Sequence, residues 1–129
     1  MRALIRPDVD WPHDVEVADS SPCRATDELA ERLDVEPGTA LQRQVVECLD
    51  PGGRSAMLVT TWWPGRRRPH HDYVAELDVI ALDADQAHAL GLTVDTAAYR
   101  LLRTRIDTAG RPVETADLIL PMDRWTIRL

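Results

Sequence analysis

One acidic residue stands in a stretch whose pattern is typical of a buried strand. Glu114 lies within segment 111–121, RPVETADLILP. Because side chains alternate along a strand, it shares one face with three apolar residues, Ala116, Leu118 and Leu120. A carboxylate beside an apolar face is a good acceptor for ligand hydroxyl or amino groups. Glu114 is therefore a candidate ligand-binding residue, and the alternative is a solvated strand residue.

A second acid of the same segment has a structural interpretation. Asp117 lies on the strand face opposite Glu114. Arg103 and Arg105 belong to the preceding strand of the predicted hairpin. We expect Asp117 to form an ordinary cross-strand ion pair with one of these two arginines.

Two other arginines could hold an anionic ligand. Arg43 and Arg100 lie in strands predicted at 39–49 and 96–106. A guanidinium group suits bidentate contacts to a carboxylate or a phosphate. The alternative for Arg43 is an exposed side chain or a partner for Glu47, and Arg100 shares the same ambiguity.

Aromatic residues gather around the loop between two predicted strands. Trp62 and Trp63 are adjacent, so they should point to opposite faces of a strand. One of them should be buried, and the other could face a pocket or a partner. Thr61, Trp63 and Tyr73 are candidates for the wall of a ligand site, since aromatic walls suit flat or apolar ligands.

His70 and His71 are candidates for a catalytic base if the protein is an enzyme. With Asp72 they are weak candidates for a metal site, because no second ligand pair stands at a suitable spacing. No phosphate-binding glycine loop, Ser-His-Asp order or Cys-His pair can be argued from the sequence. We therefore expect neither a metal nor a cofactor.

Strands and helices must position these side chains. Helices are predicted at 26–35, with Thr26 as N-cap, and at 83–92, with Asp83 as N-cap and an end near Gly91. Residues 1–12 are predicted to be an N-terminal arm, and residues 20–25 a connection. Strands are predicted at 14–19, 39–49, 54–63, 73–82, 96–106, 111–121 and 123–129.

An internal repeat organises these elements. The segment from 33 to 64 recurs 57 positions later without a gap. Met57 stands where Glu114 stands in the second copy, so the hairpin itself does not require the carboxylate. Two βαββ-like units predict an α+β fold, with helices packed on an antiparallel sheet. Matched pairs include Leu33 with Leu90, Thr39 with Thr96, Asp50 with Asp107, Gly53 with Gly110 and Pro64 with Pro121.

The composition restricts the classes of function. A chain of 129 residues with 44% hydrophobic residues suffices for one domain with a real core. Its net charge of −7 disfavours direct nucleic-acid binding, and the basic run at 65–71 is better explained as a solvated loop. The two cysteines, Cys23 and Cys48, make no disulfide framework and indicate a reducing, cytoplasmic setting. No apolar run approaches a membrane span of about 18–20 residues, and no signal peptide is visible.

The second copy resembles a known domain. Its distinctive pieces are LGL at a helix end, the strand LLRTR, the turn DTAGRPVE, and DRW before the last strand. Together, residues 81–129 resemble the C-terminal half of the UTRA domain, the effector-binding module of HutC-type GntR transcription regulators, which has a chorismate-lyase-like fold. The first copy also fits, through ATDELAERLDVEPGTALQR and TTWWP, so the resemblance covers residues 13–129. It implies an arm at 1–12 and a UTRA-like ligand-binding domain at 13–129.

The resemblance also implies roles for single residues. Glu114 matches a position that often holds an effector hydroxyl or amine, and Arg43 matches an arginine that can bind an anionic effector. Asp123 and Arg124 match the family's DR element. They are expected to fix the turn into the last strand, with Trp125 packing below.

Two features depart from the family pattern. HutC-type regulators carry an N-terminal winged helix-turn-helix, whereas only about a dozen residues precede the domain here. The chain is therefore expected to be a free-standing UTRA-like protein, which the Met1 start favours, or an excised domain. The segment between Pro64 and Tyr73 is also shorter than the insert that usually helps to wall the effector pocket.

Three functions are compatible with these observations. The leading hypothesis is a domain that binds a small effector between sheet and helices and forms a homodimer, as family members commonly do. The alternative is an enzyme of the chorismate-lyase-like fold that acts on a small carboxylic acid or natural-product intermediate. Glu114, His70 or His71 would then supply acid/base chemistry, and a raised pKa of Glu114 would favour this hypothesis. The third is a partner in mixed dimers with full-length regulators.

Overall fold

The computed structural model describes residues 3–128, which form eight strands and two helices. In chain order these are β1 Ala3–Ile5, β2 Val15–Arg24, α1 Asp27–Leu33, β3 Ala40–Leu49, β4 Ser55–Trp63, β5 Asp72–Ala81, α2 Ala84–Leu90, β6 Ala97–Ile106, β7 Pro112–Pro121 and β8 Trp125–Ile127. The predicted α+β class is confirmed. Neither helix of the described residues is long and apolar enough to cross a membrane.

Six strands form an antiparallel sheet whose order follows the internal repeat. The order is β2-β3-β4-β7-β6-β5, so the two copies meet where β4 pairs with β7. Their hairpin turns use the same hydrogen bonds. The side chain of Asp50 accepts from the Arg54 N–H at 3.0 Å, and that of Asp107 accepts from the Arg111 N–H at 3.0 Å. The sequence repeat is thus also a structural repeat.

Both helices pack on one face of the sheet, called here the helix face, which carries Thr115, Asp117 and Ile119 of β7. Thr26 caps α1 by accepting a backbone N–H at 3.2 Å, and Asp83 caps α2 through a capping box. Both N-caps were predicted from the sequence. Apolar side chains of the two helices are buried against this face: Leu29, Ala30, Leu33, Ala87 and Leu90.

The N-terminal residues cover the opposite face, called here the arm face, which carries Glu114 and the apolar residues of β7 that follow it. β1 pairs in parallel with β8. Ile5 of β1 and Trp125 of β8 are buried in the core of this face. Trp11 packs against that core, and its indole N–H donates to the Leu49 carbonyl at 2.9 Å.

The extent of two strands differs from the sequence prediction. β2 continues to Arg24, so most of segment 20–25, predicted as a connection, is strand. Pro22 is tolerated there because β2 is an edge strand, whose outer side has no neighbour to receive an N–H. Within the predicted arm, Ala3–Ile5 form β1. Residues 1, 2 and 129 lie outside the described part of the chain.

Candidate ligand site

Four of the six predicted ligand residues lie on the arm face. Glu114 stands opposite Arg105 of β6, and Arg105 stands opposite Tyr73 of β5. The pairing of β4 with β7 places Thr61 and Trp63 on the same face. The structure therefore brings Glu114, Thr61, Trp63 and Tyr73 to one side of the sheet.

The other two predicted ligand residues, Arg43 and Arg100, lie on the helix face. Arg43 stands opposite Trp62 of β4 and donates to Asp19 of β2 at 2.8 Å, rather than pairing with Glu47. Arg100 stands opposite Ile119. A single ligand cannot reach both faces through the sheet, so the six residues do not form one site.

Glu114 is buried and held by two arginines. Only 8% of its surface is exposed. Arg105 donates to Oε1 at 2.9 Å, and Arg67, from the loop after β4, donates to Oε2 at 2.8 Å. The guanidinium of Arg67 also stacks on the Trp63 ring at 4.3 Å. Glu114 is therefore the anionic centre of a charged cluster, and not a solvated strand residue.

The pKa of Glu114 disfavours a role as a general acid. Burial raises the pKa of this carboxyl group, but the hydrogen bonds and charges of Arg67 and Arg105 outweigh burial and hold the pKa below its ordinary value. A raised pKa would have favoured the enzyme hypothesis. At neutral pH Glu114 is instead a carboxylate, suited to accept hydrogen bonds and poorly suited to donate a proton.

A third arginine and the N-terminal residues complete the charged cluster. Arg103 lies two residues before Arg105 on the same face and donates to the Pro7 carbonyl at 3.3 Å. Asp8 accepts from Nε of Arg105 at 2.9 Å, and its other oxygen lies 3.3 Å from Nε2 of His70. Residues 7–8 thus sit directly on the arginines that surround the predicted ligand residue.

Asp117 pairs with different arginines from those predicted. It accepts from Arg100 at 3.0 Å, and its Oδ1 forms an ion pair with Nη2 of Arg32 in α1 at 2.8 Å. The predicted cross-strand partners, Arg103 and Arg105, are on the other face. The cause is a β-bulge between Arg105 and Ile106, which shifts the register by one residue and so reverses which side chains share a face.

The helix face carries an open groove of about 660 Å³ beside α1. Arg32 enters it from α1, held by the Thr115 hydroxyl at 2.9 Å and the Ala116 carbonyl at 3.1 Å. The groove combines apolar and acidic side chains, and Glu114 is not among its lining residues. Its lining includes Val74, Leu102, Ile106, Glu28, Glu31 and Glu76. This groove is a second place where a small ligand could bind.

The tryptophan pair points to opposite faces, as predicted. Trp63 contacts Arg67 on the arm face, and Trp62 lies under Arg32 on the helix face, 5.7 Å from the guanidinium carbon to the ring centroid. Neither ring is fully buried, so the expectation that one would be buried is wrong. Trp62 is half-buried against the apolar cluster of α1, and Trp63 is the last residue of β4.

The structure defines the contacts of the two histidines and of the DR element. His70 and His71 are exposed, and His70 contacts only Asp8 among the hydrogen-bond partners in the described part of the chain. No group of three or more His, Cys, Asp or Glu side chains among residues 3–128 is arranged to hold a metal. Arg124 donates to the carbonyls of Ser55 and Leu90, and Trp125 is buried, as expected. Asp123 is exposed, and its side chain has no hydrogen bond among the described residues, so the role expected for it stays a prediction.

Comparisons with solved structures identify the fold. No family model matches the sequence, and no curated protein is similar enough to match it. A putative GntR-family transcriptional regulator has a TM-score of 0.86 at 22% identity, over 99% of this chain and 69% of that chain. The effector domain of PhnF from Mycobacterium smegmatis has a TM-score of 0.78 at 21% identity, over 88% of this chain and 83% of that chain. The ligand-binding domain of a putative GntR-family regulator from Bordetella bronchiseptica has a TM-score of 0.79 at 15% identity, over 90% of each chain.

These likenesses confirm the resemblance predicted from the sequence at the level of fold. The chain has the α+β fold of the effector domains of GntR-family regulators, over nearly its whole length. The motifs that pointed to this fold lie at corresponding places in the structure: LLRTR is in β6, the DTAG turn joins β6 to β7, and Asp123 and Arg124 precede β8, which begins at Trp125.

Proposed function

We propose that this protein is a small-molecule effector-binding domain of the kind found in GntR-family transcription regulators. The observation that carries the proposal is the fold shared with one domain described as an effector domain and another described as a ligand-binding domain. The pKa of Glu114 is lowered, whereas a raised pKa would have favoured the enzyme alternative. The domain boundaries at 1–12 and 13–129, and a cytoplasmic location, remain part of this proposal.

The ligand site that we propose is centred on Glu114. Its carboxylate is buried on a mainly apolar face, and the matching residue of the first copy is Met57, so the fold does not need the charge. Thr61, Trp63 and Tyr73 lie on the same face and could contact a ligand that Glu114 holds. A hydroxyl or amino group on the ligand would donate to Glu114 in place of one arginine.

The test is thermal stabilisation by a panel of small hydroxylated or amino compounds that also carry a carboxylate or a phosphate. Two variants separate the candidate places. Glu114→Gln changes the arm-face site and leaves the groove intact. Val74→Trp fills the groove from an exposed position of β5 and leaves Glu114 untouched.

Loss of stabilisation in Glu114→Gln, with retention in Val74→Trp, is the expected result. The reverse pattern would move the site to the groove and keep the ligand-binding function. If no compound of the panel raises the melting temperature of the unmodified protein, the proposed function fails.

A homodimer is a further part of the proposal. Four apolar side chains of the edge strands are exposed on the arm face, Val15 and Val17 of β2 and Leu77 and Val79 of β5. Their exposed fractions lie between 41% and 56%. Since β2 and β5 are the two outer strands of the sheet, the side chains form one apolar pair at each edge, and either pair could contact another surface. Sedimentation equilibrium at micromolar concentration tests this, and a purely monomeric protein would contradict it.

A further inference from the structure

Residues 6–12 lie over the charged cluster on the arm face. They follow β1 and precede β2, so both ends of the segment are tied to strands. Pro7 is buried, and its carbonyl accepts from Arg103. Asp8 places its carboxylate on Nε of Arg105 at 2.9 Å. A backbone carbonyl and a carboxylate of the chain itself therefore occupy two neighbouring guanidinium groups.

Arg103 is incompletely satisfied by this arrangement. It is 5% exposed, yet its Nε has no hydrogen-bond partner among the described residues, and its bond to Pro7 is long at 3.3 Å. Burial and the neighbouring Arg105 lower the pKa of Arg103 to about 10, so it remains a cation at neutral pH. A buried cation with an unused N–H is costly, and a planar or tetrahedral oxyanion would satisfy it through two N–H groups.

The contacts of residues 6–12 with these two arginines can be exchanged for contacts with a ligand. The side chain of Asp8 is 31% exposed, so water reaches one side of the ion pair. The second contact of the Asp8 carboxylate, from Oδ2 to Nε2 of His70 at 3.3 Å, also lies near the surface. Because the β1–β8 ladder involves residues 3–5 only, the segment can lift from Arg103 and Arg105 without breaking that ladder. Lifting the whole segment also breaks the hydrogen bond from Trp11 to Leu49 and the contacts of Val9 and Trp11 with the core.

We propose that Arg103 and Arg105 form a binding site for a small oxyanion, a carboxylate or a phosphate, and that such a ligand takes the place of Asp8 and displaces residues 6–12. This proposal rests on the proposed function. It adds that the ligand is an anion and that residues 6–12 move when the ligand binds. A ligand bound here would lie beside Glu114, so its anionic group would contact Arg103 and Arg105 while its hydroxyl or amino group reached Glu114. The segment is then a built-in competitor, which lowers the apparent affinity for the ligand until the ligand displaces it.

The test compares Asp8→Asn with Asp10→Asn. Asp10 lies in the same segment, its side chain is 97% exposed, and it is 3.7 Å from Arg105, so its removal changes the net charge equally without opening the site. Inorganic phosphate and acetate are titrated at constant ionic strength, with thermal stabilisation as the readout. We expect the apparent dissociation constant for one or both anions to fall at least tenfold in Asp8→Asn and to change less than twofold in Asp10→Asn. Adding Arg105→Gln to Asp8→Asn should abolish the gain.

Tryptophan fluorescence follows the displacement itself. Trp11 belongs to the segment and packs edge-to-face on Trp125, with ring centroids 5.8 Å apart. Anion binding should shift the emission to longer wavelength as Trp11 leaves that contact, and Trp11→Phe should remove the shift. Tighter anion binding without any change in Trp11 emission would overturn the displacement.

The outcomes separate this inference from the proposed function. A gain with phosphate alone, with acetate alone or with both supports the site and defines its anion. Equal titrations in Asp8→Asn, Asp10→Asn and the unmodified protein overturn the inference, whatever the ligand panel shows. If the panel still stabilises the unmodified protein in that case, the effector-binding function stands and only the displacement by an anion fails.

Discussion

Replacing Glu114 by glutamine removes the charge at the centre of the arm-face cluster. Arg105, largely buried, loses a charge-assisted hydrogen bond of 2.9 Å, and such a bond contributes about 1.5–3 kcal/mol. The bond to Arg67 is worth less, about 0–1 kcal/mol, because 51% of that side chain is exposed. Since the amide of glutamine keeps one acceptor oxygen, we expect a net loss of about 2 kcal/mol. For a domain of this size that lowers the melting temperature by about 6–8 °C.

The loss of stability in Glu114→Gln should depend on pH in a defined direction. The pKa of Glu114 is lower in the folded protein than its ordinary value of 4.5. A group with a lowered folded pKa contributes stability that is fully present above its unfolded pKa and is lost as the pH falls through its folded pKa. The difference in free energy of unfolding between the unmodified protein and Glu114→Gln should therefore be largest at pH 7 and shrink below about pH 4.5.

Urea denaturation between pH 3.5 and pH 7 measures this difference. Glu76→Gln is the matched control, because Glu76 is an exposed glutamate on a strand of the same sheet. It should change the free energy of unfolding by less than about 0.5 kcal/mol. A loss in Glu114→Gln that is no larger than in Glu76→Gln, or that stays constant down to pH 3.5, would refute the assignment of Glu114 as a buried carboxylate stabilised by arginines.

Three further predictions concern the fold. Asp117→Asn should weaken the attachment of α1 to the sheet and cost about 2 kcal/mol in urea denaturation, with faster amide exchange in α1; an unchanged midpoint would contradict it. Gly110→Ala should cost about 1 kcal/mol because Gly110 has a φ of 77°, whereas Gly52→Ala, in the other hairpin turn and without a positive φ, should cost clearly less. Burial raises the pKa of Cys48 to about 11, so a thiol reagent should modify the partly exposed Cys23 first and Cys48 only after denaturation; equal rates would contradict this.

The sheet and its helices could be predicted because local signals agree in both copies. Asp50 and Asp107 each close a turn whose neighbouring strands alternate apolar and polar residues, and Thr26 and Asp83 each begin a helix. The largest error in the predicted strand bounds is the end of β2. It occurs where Pro22 interrupts the alternation of apolar and polar residues. Only the position of β2 at the sheet edge makes that proline acceptable, and strand order is not visible in a local pattern.

The ion pairs could not be predicted because they depend on register and on loop path. A single bulge before Ile106 places Arg103 and Arg105 on the face of Glu114 instead of the face of Asp117. The alternation of the sequence carries no sign of that bulge. Arg67 reaches Glu114 from a loop with no periodic pattern, so its part in the site was missed although the basic run itself was visible.

The two copies of the internal repeat also differ in which residues can be substituted. Met57 of the first copy is 1% exposed and belongs to the apolar core, whereas Glu114 at the matching position belongs to the charged cluster. The charged residue at this position of the second copy can therefore be exchanged without removing an apolar side chain from the core that both copies build. A duplicated scaffold of this kind can acquire a new ligand preference through substitutions in one half, and a family built on it can diversify in specificity while its architecture stays constant.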